Sequence, residues 1–208
     1  MSNRLAIATV TATLQDRLIA AATGEIAGAT VVVGRPDSKR QAEPAPAVNL
    51  FLYEVVNNPF LRNDHGPSRT YDGTLVELPE AALDLHYLLT FSGRESALEP
   101  HRLLGAAIAE LALRPVLTAD DIARSVERRD DLRGSDLASS PDRVMLTPLH
   151  LTIEELSRLW MMMGQEPYAI SLQYRATPVV VSPTVERHVV TRVETEIIDV
   201  SPMPRRVP

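Results

Sequence analysis

Hydrophobic positions along the chain switch several times between a helical and an extended period. Near the start, Ile7, Val10, Leu14 and Leu18 recur three or four residues apart, with Gln15, Asp16 and Arg17 outside that stripe. The spacing puts the four apolar residues on one face of an amphipathic helix. Ser2 and Asn3 are good N-cap residues for its start, and Gly24 supplies a stop near Ala22. A second helix is predicted from Pro100, which suits a first turn, through Leu103, Leu104, Ala107, Ile108 and Leu111. It ends before Arg114 and Pro115, because the residue preceding a proline disfavours the helical region. A third helix opens at Thr152, where Glu155 completes a capping box, and runs through Leu156, Leu159, Trp160 and Met163 to Gly164.

Extended patterns lie between these helices. Residues 30–33 form a short β-branched run closed by Gly34, Arg35 and Pro36. The stretch 48–56 is dense in apolar and aromatic residues, which predicts a strand buried on both faces. In 81–90, Leu83, Leu85, Tyr87 and Leu89 share one face, with Asp84, His86 and Leu88 opposite. Residues 144–151 read as a strand that Pro148 confines to a sheet edge. Tyr168, Ile170, Leu172 and Tyr174 alternate with Ala169, Ser171, Gln173 and Arg175, a half-buried strand. Residues 36–46, 62–67 and 134–142 carry no period and read as loops, and 118–133 is charged enough for only a short exposed helix.

The order of elements predicts an α/β (α+β) fold, a mixed β-sheet flanked by helices, spanning residues 1–182. After Pro183, β-branched residues scatter among charges and the chain becomes rich in proline and arginine, so 183–208 is expected to be an arm or tail.

Composition narrows the function classes. The 208 residues suit one domain of ordinary size, with or without a tail. A hydrophobic fraction of 45% supports a real core, which the 4% aromatic content leaves largely to aliphatic side chains. The net charge of -6 argues against general affinity for nucleic acid. The lack of cysteine excludes disulfides, thiolate zinc sites and a cysteine nucleophile. Arg4 precedes a short apolar run, but Thr9, Thr11, Thr13, Gln15, Asp16 and Arg17 break it up, and nothing approaches the roughly 20 apolar residues of a membrane span. A soluble chain without a cleaved leader, not inserted in a membrane, is expected.

Catalytic motifs are weak throughout. Asp84 and His86 share a strand face, and His65, His101 and His150 lie elsewhere, but no close histidine spacing of a metal site exists. Ser92 precedes Gly93 without the upstream glycine of a nucleophile elbow, and the glycines lack phosphate-loop spacing. Arg124, Arg128, Arg129 and Arg133 interleave with Asp120, Asp121, Glu127, Asp130 and Asp131, which reads as a salt-bridged solvated face. Trp160 and Met161 to Met163 suit either a soft binding surface or core, and the apolar stripe favours core for Trp160.

More specific information comes from stretches taken in order. Asn49-Leu50-Phe51-Leu52-Tyr53-Glu54-Val55 leads to Asn57-Asn58-Pro59-Phe60-Leu61-Arg62-Asn63; Leu83-Asp84-Leu85-His86-Tyr87-Leu88-Leu89-Thr90 and His101-Arg102-Leu103-Leu104-Gly105 follow. Leu151-Thr152-Ile153-Glu154-Glu155-Leu156-Ser157-Arg158-Leu159-Trp160 comes last, with Tyr168 and Ser171 to Tyr174 behind it. This set, over residues 5–181, resembles the family that contains the cap or tail-terminator proteins of extracellular contractile injection systems.

The resemblance implies a tail-terminator-like fold and a structural role. A six-fold homo-oligomeric ring would close the inner tube and contact the last sheath layer, so that polymerisation ends. Its implied partners are the inner tube protein and the sheath protein, with no nucleic acid. No catalytic residue, cofactor or metal ligand carries over. Such a protein would be made in the bacterial cytoplasm and carried on a particle that is released or retained. Asn57, Asn58, Arg62, Asn63 and Asp64 form the candidate interface, hydrogen-bonding groups on a loop after a rigid strand; a simple chain turn is the alternative for residues 57–59. A phage tail-completion or connector protein, or a hydrolase or metal enzyme, are the alternative functions.

Overall fold

In the computed structural model, residues 2–36, 45–61, 68–69, 75–77, 80–164 and 166–183 are described. The two long apolar patterns of the middle of the chain become neighbouring strands, β2 (Ala47–Asn57) and β5 (Ala81–Ser92). Around them a five-stranded sheet is completed by β1 (Thr30–Val33), β7 (Ser171–Val181) and β6 (Met145–Leu149), in the order β1-β2-β5-β7-β6. Only β1 and β2 run parallel; every other neighbouring pair is antiparallel. A small separate ribbon pairs β3 (Ser68–Arg69) with β4 (Leu75–Glu77). The sheet is therefore mixed, as expected, and the proline-bearing strand sits at its edge.

Alternation sorts the side chains of β5 to two faces. On one, Leu85, Tyr87, Leu89 and Phe91 join Val48 and Leu50 of β2 and Tyr174 and Ala176 of β7 in the main core. Two helices cover this face. α1 (Ala6–Glu25) contributes Val10, Leu14 and Leu18, and α2 (Glu99–Leu113) contributes Leu103, Ala107 and Leu111. Each buried valine or leucine among them stabilises the fold by about 1.5–3 kcal/mol before chain entropy is counted. Tyr87 is buried among them because its hydroxyl pairs with Thr11 at 2.8 Å. Burial pushes its phenol group well up, against a smaller opposing effect of that hydrogen bond.

The opposite face is covered by α4 (Ile153–Met162). There Leu88 packs with Leu159, Trp160 and Met163, and Phe51, Tyr53 and Leu151 close around them. The capping box at its start forms as predicted: Thr152 Oγ1 accepts from Glu155 N at 3.2 Å, and the Glu155 carboxylate accepts from Thr152 N at 2.8 Å.

Four sequence expectations need correction, besides the stop at Gly24, which lies inside α1 as the helix runs on to Glu25. Ser2 and Asn3 do not occupy the N-cap of α1, which is Leu5. Asn3 instead accepts from Leu5 N at 3.0 Å, while buried Ser2 donates its hydroxyl to Val180 O at 2.5 Å and fastens the chain start to β7. Arg17 and Asp16 do not lie outside: both are drawn into ion pairs with neighbouring helices. The strand 48–56 is buried at Val48 and Leu50 but opens toward solvent at Glu54 and Val55, past the end of β1. Finally, β7 begins at Ser171 rather than Tyr168.

The charged region 118–133 holds one short helix, α3 (Ala119–Glu127). Thr118 caps it by accepting from Asp121 N at 3.1 Å. Arg129 just beyond grips Asp16 of α1 with two hydrogen bonds of 2.7 and 2.8 Å. Burial alone would raise the Asp16 carboxyl, but hydrogen bonds from Arg129 and Ser125 outweigh it and hold that group below the usual range. The arginine row thus forms salt bridges, as expected, and one of them locks α3 onto α1. Residues 37–44 and 184–208, including the anticipated arm, lie outside the described residues.

Candidate assembly interface

The turn that ends β2 carries the first group of candidate contact residues. Asn57, the last residue of the strand, is exposed. Asn58 is not: its side chain is buried and fully occupied within the chain. Its Oδ1 accepts from the backbone N–H of Phe60 and Leu61, both at 3.0 Å, which bends the chain. Its Nδ2 donates to Asp84 Oδ1 at 2.8 Å and to Thr177 Oγ1 at 3.1 Å, joining the turn to β5 and β7. Thr177 also hydrogen-bonds Asp84, and Arg175 stands 3.9 Å away. Asn58 therefore builds the turn, and a neighbouring molecule would meet Asn57 and Phe60. Phe60 is 84% exposed. Its signal in the sequence was an aromatic residue directly after a turn-forming Asn-Pro pair, where no core periodicity accounts for it. Arg62, Asn63 and Asp64 lie outside the described residues.

The second group sits on the outer side of α4. Trp160 and Met163 turn inward, while Met161 and Met162 are 68% and 71% exposed, so the methionine run divides between core and surface. Helical geometry requires this split, since consecutive residues are about 100° apart around the axis. Tyr168 stays out of the sheet, 66% exposed, and leans on Trp160 with ring centroids 5.3 Å apart. Ile153, Leu156, Trp160, Met161 and Tyr168 line an open cleft of 480 Å³. At the helix end, Arg35 donates to Met162 O at 3.1 Å and ties α4 to the chain leaving β1. Several large apolar side chains gathered on one exposed face are the usual sign of a contact surface.

The remaining candidates resolve into structural pairs. His86 Nδ1 lies 2.8 Å from Glu54 Oε2 across β2 and β5, and Asp84 belongs to the Asn58 network. They share a face, as expected, yet face different partners. Among the described residues no three His, Asp or Glu side chains converge as a metal site would need. No helix among the described residues is long and apolar enough to cross a membrane.

Residues 9–195 match the family described as the Pvc16 N-terminal domain. The chain belongs to this family. The Pvc16 N-terminal domain match starts within α1 and continues past β7, so it takes in every strand of the sheet, the turn after β2 and α4. No curated protein matches the chain. Two solved structures share its architecture. One is the PVC sheath/tube terminator of an extracellular contractile injection system in its extended state: 16% identity, TM-score 0.54, covering 94% of this chain and 63% of that one. The other is the tube-terminating cap of the anti-feeding prophage: 16% identity, TM-score 0.55, covering 89% and 59%. This Pvc16 N-terminal domain chain thus has a tube-terminator-like fold and spans about three fifths of the length of the two solved proteins, at 63% and 59%.

Proposed function

We propose that this chain is the terminator cap of a phage-tail-like contractile injection system, a non-enzymatic protein that ends the growth of tube and sheath. The observation that carries this reading is the fold shared with two terminator proteins over 94% and 89% of the chain, within the Pvc16 N-terminal domain family. Copies of the chain would close into a six-fold ring through heterologous contacts, in which one patch meets a different patch on the neighbour. The ring would bind the last layer of the inner tube protein on one side and the sheath protein around it. The exposed apolar face of α4 and the Asn57–Phe60 turn, extended by Arg62, Asn63 and Asp64, supply contact surface on a rigid sheet.

The test is deletion and restoration of this gene in a bacterium that assembles such particles. Without the protein, electron microscopy should show tubes and sheaths of scattered length or lacking a closed end, and an epitope-tagged copy should label one particle end. Unchanged particle lengths, with the protein absent from purified particles, would overturn the reading.

A further inference from the structure

Strand β2 is longer than its neighbour on one side. β1 pairs with it only through Leu50, whereas β5 pairs with it as far as Asn57. A bulge between Leu52 and Glu54 interrupts the β5 pairing, and beyond it the register is regular. Asn58 N donates to Ala82 O at 2.8 Å, toward β5. Backbone groups alternate from side to side along a strand, so Glu54 and Val56 also face β5 while Val55 and Asn57 face away. Among the described residues no strand pairs with that outer side. Val55 is 43% exposed, and Glu54 and Asn57 are exposed as well. Val55, Val56 and Asn57 thus make an uncharged edge with outward N–H and C=O groups, and such an edge is a template for strand addition.

The other edges of the sheet are obstructed. On β6, Leu146 N donates to Pro115 O at 2.6 Å and Leu117 N to Val144 O at 2.9 Å, so residues 115–117 cover its start. Pro148, two residues past Leu146 and on the same side, has no N–H to offer. On β1, Thr30 N bonds Pro46 O, which turns Val31 outward. Gln15 Nε2 of α1 crosses that side and donates to Val31 O at 3.1 Å. One stretch of edge therefore stands open among the described residues, and two copies can share a sheet only by setting it against itself. That is an isologous contact about a two-fold axis.

We propose that the unassembled chain pairs with a second copy of itself, β2 antiparallel to β2, about a two-fold axis at Val56. Val55 of each copy then faces Asn57 of the other, and each such pair exchanges both N–H···O bonds. The two Val56 side chains lie directly opposite, a favourable cross-strand pair of β-branched residues. Glu54, whose carboxylate lies 2.8 Å from His86 Nδ1, meets residue 58 of the other copy, so no like charges face each other. The pair covers Asn57, which the cap reading gives to particle contacts, so it is a form the chain leaves on assembly. The pairing itself does not rest on that reading.

The chain has no cysteine, so Val56→Cys can form a disulfide only with its own copy. Cα atoms directly opposite in a non-hydrogen-bonded pair are about 4.5 Å apart, within disulfide reach. Oxidised full-length Val56→Cys should give a linked dimer, and Val33→Cys, at an exposed site of β1, should not. Equilibrium sedimentation of the full chain should show a dimer. Val55→Pro removes one outward N–H from each copy without touching the bonds to β5. Far-UV circular dichroism should be unchanged, while the dissociation constant rises about thirtyfold for the two lost donors. A wild-type chain that sediments as a monomer, or as larger rings, overturns the pairing. So does a dimer that Val55→Pro leaves intact, or a Val56→Cys link no more abundant than the Val33→Cys control. If Val55→Pro does not fold, the cysteine comparison decides alone.

Discussion

The Arg17 guanidinium, buried on α1, donates from Nε to Glu110 Oε1 of α2 at 2.9 Å and from its other nitrogens to the carbonyls of Val116, Glu110 and Arg114. The last carbonyls of a helix have no partner inside it, and a cation there also opposes the negative end of the helix dipole. One side chain thus satisfies the end of α2 and joins the two helices that cover the main core.

Removing that donor should be costly. Arg17→Met would leave a partly buried carboxylate and several carbonyls without their partner, a loss of about 3–5 kcal/mol. Arg114 stays on Glu110 at 2.5 Å, so the value should fall toward the lower end. Urea unfolding followed by Trp160 fluorescence measures it, and a loss within ~0.5 kcal/mol would mean that Arg17 does not join the helices.

Acid should weaken the same joint. Burial raises the Glu110 carboxyl, but hydrogen bonds from Arg114 and Arg17 outweigh burial and hold it below its ordinary 4.5; Asp16 is likewise held below 3.8. Because the folded values are depressed, the unfolded chain binds more protons in that range. The stabilisation is complete above the ordinary values and disappears as pH falls through the folded ones. Urea midpoints should be level above about pH 5 and decline below it, and Glu110→Gln should flatten part of that decline. An identical acid slope in Glu110→Gln removes this residue from the account.

Asn57 and Asn58 should respond differently to the same change. Asn58→Ala leaves the Phe60 and Leu61 N–H groups and Asp84 short of a partner and should destabilise the chain by about 1–3 kcal/mol. Asn57→Ala, at an exposed position, should stay within about 0.5 kcal/mol. If Asn57 and Phe60 form contact surface, Asn57→Ala and Phe60→Ser should reduce capping of particles while leaving the unfolding midpoint unchanged. Paired unfolding and particle-length measurements separate the two effects.

The attachment of α4 depends on its cap and on its inner face. Thr152→Ala removes the Oγ1 acceptor of the Glu155 N–H, leaving only the backbone N–H of residue 152 on the Glu155 carboxylate, and should cost about 1 kcal/mol, a drop in Tm of roughly 2–4 °C. Leu159→Ala, opposite Leu88, should cost about 2–5 kcal/mol. Met161→Ala on the exposed side should change Tm little. Calorimetry of the three variants tests that order.

Periodicity alone revealed most of the fold. The stripe of α1, the alternation of β5, the capping box of α4 and the edge position forced by Pro148 are local features, set by residues within a few positions of one another. Local pattern does not tell which polar residue turns inward. Asp16 and Arg17 looked solvated because their partners, Arg129 and Glu110, are far away in sequence. Asn58 looked like a contact group because Asp84 and Thr177 meet it only once β2, β5 and β7 lie side by side.

The segment from Asn49 to Phe60 shows the division. By itself the sequence determined that this is a strand ended by an Asn-Pro turn, since hydrophobic density and turn chemistry act over a few residues. The fold decided how far the strand is covered: β1 pairs only with its first residues, through Leu50, and α4 closes over Phe51 and Tyr53. It also decided that Asn58 faces inward while Phe60 is left at the surface. Burial depends on what the rest of the chain brings alongside, and those neighbours are chosen only when the sheet assembles.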